Sequence, residues 1–188
     1  DQTAGPGKTL LARDNTGWIH VKGLKPNTKY HYELRIRGSR GRSGRRGSFR
    51  TLPDTRDYVD PKLNPRGLFN FKFEFACGNN QNPKHSSGPA LPTFRTMLRE
   101  IADDINFAIL NGDWLYEQRR DYPPKDWLGQ VGLDSINQAP RIVQKAPTVV
   151  GVWENYKTYL ARGRNLSEWH RHVPSFYTAD DHELVNDI

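Results

Sequence analysis

The sequence predicts a mixed α+β fold, in which a small antiparallel β-sandwich precedes a domain built on parallel strands. Near the N-terminus, GWIHVKGL and KYHYELRIRG alternate apolar and polar residues, as half-buried strands do. Later, FNFKFEFAC, LPTFRTMLREIADDI and NFAIL follow one another as strand, amphipathic helix and strand. That order is typical of a parallel βαβ unit, in which ligands bind at the carboxyl ends of the strands.

The composition indicates a folded protein with many loops. The 188 residues carry a formal charge of +7 and are 35% hydrophobic, with 13 prolines and 16 glycines. Eight phenylalanines, eight tyrosines and five tryptophans are too many for a disordered chain. No apolar run reaches the roughly 18 residues of a membrane span, so no transmembrane segment is predicted. The single cysteine does not identify the compartment.

Residues 1–53 are interpreted as the last part of a fibronectin III-like β-sandwich. The segment LKPNTKY leads into Tyr30 and resembles a tyrosine corner, in which the hydroxyl bonds to backbone a few residues upstream. Such a domain needs about seven strands, and only the last ones are evident, so the chain is expected to be a fragment at its N-terminus. Residues 54–69 are predicted to be a linker, and residues 70–188 a second domain.

Residues 35–50 hold seven arginines among glycines and serines. One interpretation is a patch that binds a polyanion. The other is a solvated hairpin loop, and it is favoured because no aromatic residues alternate with the arginines as stacking platforms would.

The C-terminal part is predicted to contain two helices and a short strand. Residues 119–148 are predicted to be loop. Then VWENYKTYLARG ends at Gly163, and NLSEWHRHV begins at Asn165 as cap, with Glu168 three residues on. The strand in PSFYTADDHELVND is followed by a group of acidic residues around a histidine.

Acidic side chains follow two of the predicted strands. Asp113 and Asp181 therefore reach one edge of a parallel sheet, where paired carboxylates repel unless a cation lies between them. Cys77, Tyr116 and His182 would add a thiolate, a phenolate and an imidazole, a mixed set that suits a transition metal beside a harder ion. Each residue also has a structural alternative: a buried small cysteine, a helix cap, a core tyrosine and an exposed turn.

Three segments together resemble the alkaline phosphatase D (PhoD-like) family of metallophosphatases. They are FEFACGNNQ, ILNGDWLYEQ and WHRHVPSFYTADDHELVND, in that order. The resemblance implies a partial fibronectin III-like β-sandwich followed by the N-terminal half of a four-layer αββα metallophosphatase domain. It further implies a bimetallic centre of iron (Fe³⁺) and calcium.

The resemblance also implies metal ligands. Cys77 is similar to the thiolate ligand of the iron, Asp113 to the aspartate that bridges both metals, and Tyr116 to the phenolate ligand. Asp181 stands where related metallophosphatases have a metal-binding Asn or Asp, with Asp180 beside it.

Two further residues resemble parts of the family's site. His182 is similar to the histidine that contacts the substrate phosphate or protonates the leaving oxygen, and Asn186 is a further candidate metal ligand. Ala179 departs from the family, which commonly has a bulky aromatic residue before DDHE. The sequence given stops at Ile188, before the ligands from later strands, so this polypeptide alone is expected to bind metal weakly and to turn over little substrate.

The implied reaction is in-line attack of a metal-bound hydroxide on a phosphate monoester or diester, with Asp113 and His182 as catalytic residues. The family implies export to the periplasm, cell surface or medium. A monomer with no obligatory nucleic-acid partner is also expected. Two alternatives remain. A purple acid phosphatase-like enzyme would have GNH where DDH stands and would not use a cysteine ligand, and a non-catalytic fibronectin-like module would bind polyanions through its arginines.

Overall fold

The computed structural model describes residues 5–35, 45–54, 59–68, 71–116 and 120–184. Within these ranges the chain forms an antiparallel two-stranded hairpin, a parallel three-stranded sheet and six α-helices. The predicted mixed α+β fold is confirmed. The domain boundaries at residues 53 and 69 stay a prediction. None of the helices in the described ranges is long and apolar enough to cross a membrane.

The N-terminal hairpin pairs β1 (Lys29–Glu33) with β2 (Arg46–Arg50). The backbone N–H of Lys25 donates a 2.8 Å hydrogen bond to the hydroxyl oxygen of Tyr30, which is the bond that the tyrosine corner predicts. The strand predicted for GWIHVKGL is wrong: the segment has no strand pairing, and the Trp18 side chain is 70% exposed. Alternation stabilises a strand only where a neighbour covers its apolar face.

The central sheet has the order β3 (Phe73–Ala76), β4 (Phe107–Asn111), β5 (Ser175–Thr178), and all its strands are parallel. Helix α1 (Pro92–Glu100) connects β3 to β4, so the predicted βαβ unit is confirmed. The helix is shorter than its apolar pattern predicted, because residues 101–104 form a turn.

The two faces of this sheet differ in burial. On one face Ala108 and Leu110 are buried in a core with Phe94 of α1 and Trp169. On the other face the phenylalanines of β3 are about half exposed, as is Phe176 of β5 at 60%. The helices therefore cover one side of the sheet, and the apolar opposite side is open in the described part of the chain.

Residues 119–148 were predicted to be loop, and this is wrong. Helices α2 (Pro124–Gln130) and α3 (Arg141–Lys145) form there. Trp127 and Val143 are fully buried in a second core that also includes Val150. Burial of these side chains against distant residues outweighs the local signals of the prolines and glycines.

Two long helices lead to the last strand. Helix α4 (Val149–Arg162) ends before Gly163, as predicted, and α5 (Arg164–His172) starts directly after that glycine. The cap predicted at Asn165 is wrong, because Gly163 occupies the N-cap position. The Asn165 side chain donates instead to the carbonyl oxygen of Ala90 at 2.5 Å, a tertiary contact that the capping pattern does not encode.

Candidate metal centre

The loops that follow β3 and β4 are joined by backbone hydrogen bonds. The N–H of Gly78 donates to the carbonyl of Gly112 at 3.3 Å, and the N–H of Asn79 donates to that of Asp113 at 2.7 Å. The sheet ladder thus continues past the strand ends and holds the segment after Cys77 against the segment that carries Asp113.

Gly112 allows the loops after β4 and β5 to approach each other. Its φ is 70°, and a Cβ atom there would lie 2.6 Å from the Cβ of Asp180. Asp113 also has a positive φ of 51°, which is uncommon for a residue other than glycine. The close approach therefore depends on glycine and on a left-handed turn at the aspartate.

The carboxylate of Glu183 links these two loops. It is 4% exposed. Its Oε2 accepts hydrogen bonds from the N–H groups of Asp113 (3.0 Å) and Asp180 (2.7 Å). Its Oε1 accepts from Trp114 (2.8 Å) and more weakly from Leu115 (3.4 Å). A single buried side chain thus fixes the backbone on both sides of the site.

Glu183 was not predicted as a site residue, although the sequence contains a signal for it. It lies three residues after Asp180, and a helix of one turn, α6 (Asp181–Leu184), begins between them. Glu at this spacing bonds back to the N-cap backbone N–H in a capping box. The capping part of its role was therefore readable, but the bonds to residues 113–115 were not.

Asp113, Asp181 and His182 form the cluster at the centre of the site. Each offers a ligand atom, and these atoms all lie within 4.8 Å of one another. All three residues are half-buried. Carboxylate and imidazole ligands at such separations suit a metal ion.

The environment of Asp113 fits a bound cation. Its Oδ1 atom is buried and has no hydrogen-bond partner within the described ranges. Burial raises the pKa of the Asp113 carboxyl; His182 opposes this, while the carboxylates of Asp180 and Asp181 raise the pKa further. A cation would satisfy the buried oxygen and relieve the repulsion among the acids.

Tyr116 and Cys77 lie next to this cluster. The Tyr116 ring centroid is 4.2 Å from that of His182, and the backbone carbonyl of Tyr116 accepts a 2.8 Å hydrogen bond from the fully buried Asn155. Burial raises the pKa of the Tyr116 hydroxyl, and the charges of Asp113 and Cys77 contribute. The Cys77 thiol is exposed and lies outside the three-residue group, so it is neither a buried apolar residue nor a member of the cluster.

The other predicted ligands lie differently. Asp180 is exposed at the start of α6, where its Oδ1 accepts the N–H of Asp181 at 3.0 Å. Asn186 lies outside the described residues. The structure thus brings Asp113, Asp181, His182 and Tyr116 together, with Cys77 at the side. Their roles as ligands or catalysts stay predictions.

Comparison with known proteins bears on this site. A family model described as PhoD-like phosphatase matches residues 71–188. A solved structure of PhoD is similar to this chain with a TM-score of 0.54 and 23% sequence identity, over 92% of this chain and 27% of that one. The chain thus spans about a quarter of the length of that relative, and at this identity the likeness shows the fold. No curated protein matches the chain.

Proposed function

Because the chain belongs to the PhoD-like phosphatase family, we propose that it contributes part of a bimetallic centre that hydrolyses phosphoric esters. The observation that carries this proposal is that carboxylate oxygens of Asp113 and Asp181 and a ring nitrogen of His182 lie within 4.8 Å of one another. They lie at the carboxyl ends of parallel strands, where such sheets bind their ligands. Bound cations would supply Lewis-acid stabilisation of the charge that develops on the phosphoryl group.

The residues of the site would hold two kinds of cation, proposed as iron and calcium. Asp113 is the residue suited to contact both, because its carboxylate interacts electrostatically with the Tyr116 hydroxyl and with the Asp181 carboxylate. Tyr116 and Cys77, with a phenolate and a thiolate, suit the iron, and the carboxylate of Asp181 suits either cation. The buried Oδ1 of Asp113 supports this assignment.

His182 is proposed to handle the substrate. Its backbone is held by the Asp181 carboxylate, which accepts its N–H at 2.9 Å, and by Arg120, whose guanidinium donates to its carbonyl. The backbone from which the imidazole extends is therefore held in place beside the carboxylates. From there it can donate a hydrogen bond to a phosphate oxygen or give a proton to the leaving oxygen.

The finer properties of the enzyme are proposals from the same family. We propose a monomeric, exported protein that acts on phosphate monoesters or diesters. The purple acid phosphatase-like alternative receives less support, because the family model matches through the very segments that carry Cys77 and DDHE. The polyanion-binding alternative concerns a different surface.

Substitution of Asp113 tests the proposal. In the full-length protein, Asp113→Asn should lower kcat/KM for p-nitrophenyl phosphate and its bis ester at least about 1,000-fold, and should remove bound metal, because the bridging charge is lost. The rates with the two esters also separate monoesterase from diesterase activity. Metal content is measured by mass spectrometry of the purified protein.

Asp134→Asn is the matched control, since Asp134 is exposed and remote in sequence from the site. It should change neither rate nor metal content. An Asp113→Asn protein that keeps its metal and its rate would contradict the proposal.

A further inference from the structure

A cleft with several cationic side chains lies between the N-terminal hairpin and the end of α5. Its lining residues are His31, Arg45, Arg46, Gly47, Glu168, Arg171 and His172. The lining among the described residues thus includes three arginines, two histidines and one carboxylate.

The hairpin and the helix are docked by direct contacts. Ser48 Oγ lies 2.9 Å from His172 Nδ1, and the Tyr32 hydroxyl donates to the carbonyl of Arg171 at 3.3 Å. A Cβ atom at Gly47 would lie 2.2 Å from the same carbonyl, so only glycine allows this approach. These contacts hold the hairpin against the end of α5, and the arginine side chains extend from the backbone that is held in this way.

Among the described residues, the arginines of the cleft outnumber the carboxylates that pair with them. Glu168 accepts from Arg171 at 2.7 Å and lies 3.2 Å from the His172 ring nitrogen, so this one carboxylate serves both groups. Arg46 pairs with Glu33 at 3.4 Å and keeps a 72% exposed side chain. Arg45 is exposed. Guanidinium groups bind phosphate oxygens through paired N–H donors, which suits such a surface to phosphate groups.

This cleft and the metal centre lie at opposite ends of β5. Arg171 and His172 end α5 just before the strand begins at Ser175, while Asp180 and Asp181 follow its last residue, Thr178. A ligand in the cleft would therefore not displace anything from the acidic cluster.

We propose that this cleft binds the phosphate groups of a linear phosphodiester polymer. A polymer fits better than a single phosphate ion because the arginines are exposed, so each contact is weak and several must add. Two of the seven arginines of residues 35–50, Arg45 and Arg46, line the cleft. The proposal does not depend on hydrolytic activity.

Fluorescence anisotropy with a labelled single-stranded oligonucleotide of about 12 nucleotides tests this in the full-length protein, with EDTA present to prevent hydrolysis. Three phosphate contacts predict that log K falls with log salt with a slope of about −2, from roughly 0.7 per contact. The double variant Arg45→Gln/Arg171→Gln should weaken binding at least about tenfold at low salt and bring the slope to about −0.7.

Two further variants separate a charge effect from a folding effect. Glu168→Gln removes the carboxylate that lines the cleft and should tighten binding several-fold, an increase that a damaged structure would not give. Arg141→Gln/Lys145→Gln removes two exposed charges of α3 and should leave affinity within about twofold.

Three results would overturn the proposal. One is a loss in the α3 variant equal to that in the cleft variant, which would show binding by net charge alone. Another is unchanged or weakened binding by Glu168→Gln. The third is displacement of the oligonucleotide by inorganic phosphate at an equal concentration of phosphate groups, which would show a site for a single ion instead of a polymer.

Discussion

The two ends of β5 carry charges of opposite sign that are held in different ways. At the carboxyl end, Asp113 and Asp181 are half-buried, and the backbone that carries them is tied to the buried Glu183. At the amino end, Arg45 and Arg46 are exposed and extend from the hairpin into solvent. The positions of the acidic groups are thus set by the backbone that carries them, whereas the positions of the guanidinium groups vary with their long, exposed side chains.

This difference has a consequence for function. Half-buried acids that cannot move apart repel one another, which favours a cation between them, and the backbone holds their geometry in advance. Exposed arginines adapt to a partner but hold it weakly, and salt screens them. The acidic end is suited to chemistry and the basic end to attachment. Single substitutions should consequently have large effects at the first end and small ones at the second.

The largest effect is expected from Glu183→Ala. It leaves the N–H groups of residues 113, 114, 115 and 180 without their acceptor. We expect the free energy of unfolding, measured in urea, to fall by about 4 kcal/mol, since buried groups lose their hydrogen bonds. Metal content should fall as well, because the loops that carry Asp113 and Asp181 separate.

Glu100→Gln, at an exposed position on α1, is the control for this prediction and should change stability by less than about 0.5 kcal/mol. Glu183→Gln keeps one acceptor oxygen and should lie between the alanine variant and the native protein. Equal free energies of unfolding for Glu183→Ala and Glu100→Gln would contradict the claim that Glu183 holds the backbone at the carboxyl end of β5.

A pH effect is expected from His170 of α5. Burial lowers the pKa of its imidazole to about 4. The ring lies 3.1 Å from the Tyr177 hydroxyl and packs edge-on against Trp114 at 5.5 Å. The folded state favours the neutral ring. The stability that this ring contributes is therefore fully present above the unfolded pKa of about 6.5 and is lost as pH falls towards 4.

The native protein should thus lose about 3 kcal/mol more than His170→Gln between pH 7 and pH 4, from about 1.4 kcal/mol per pKa unit. Urea unfolding at the two pH values measures this difference. His85→Gln, at an exposed position, should match the native pH dependence. If His170→Gln and the native protein have the same pH dependence, the imidazole is not held neutral by burial.

A smaller effect is expected from Gly112→Ala, with Gly132→Ala as its matched control. Both glycines have positive φ, 70° and 72°, so alanine is strained at each by a similar amount. At Gly112 the new Cβ meets Asp180, whereas at Gly132 no atom of the described residues lies within 4 Å. Gly112→Ala should therefore destabilise by about 2 kcal/mol more than the control, a typical magnitude for overpacking.

Thermal or urea unfolding of both glycine variants measures that difference, and metal affinity should fall at Gly112 alone. Equal effects at the two positions would show that the loops after β4 and β5 do not need their close approach.

Several features were predictable from the sequence because they depend on neighbours along the chain. The alternation in β3, the short apolar run of β4 and the helix between them predicted a parallel unit, and parallel pairing places Asp113 and Asp181 at one edge. The tyrosine corner likewise needs only a few consecutive residues, and its hydrogen bond at Tyr30 is present. Local pattern and short connections were sufficient in these cases.

Other features were decided by tertiary structure, because their partners lie far away in the sequence. Trp127 converts a proline-rich segment into a helix by burial against residues of α3 and α4. Glu183 acts on residues about 70 positions earlier, and Ser48 meets His172 across 124 positions. A residue's type limits which contacts it can make, but burial and backbone hydrogen bonds determine which of them form. The meeting of Asp113 and Asp181 at the strand ends was therefore anticipated, whereas the side chain that holds their loops together and the basic cleft opposite were not.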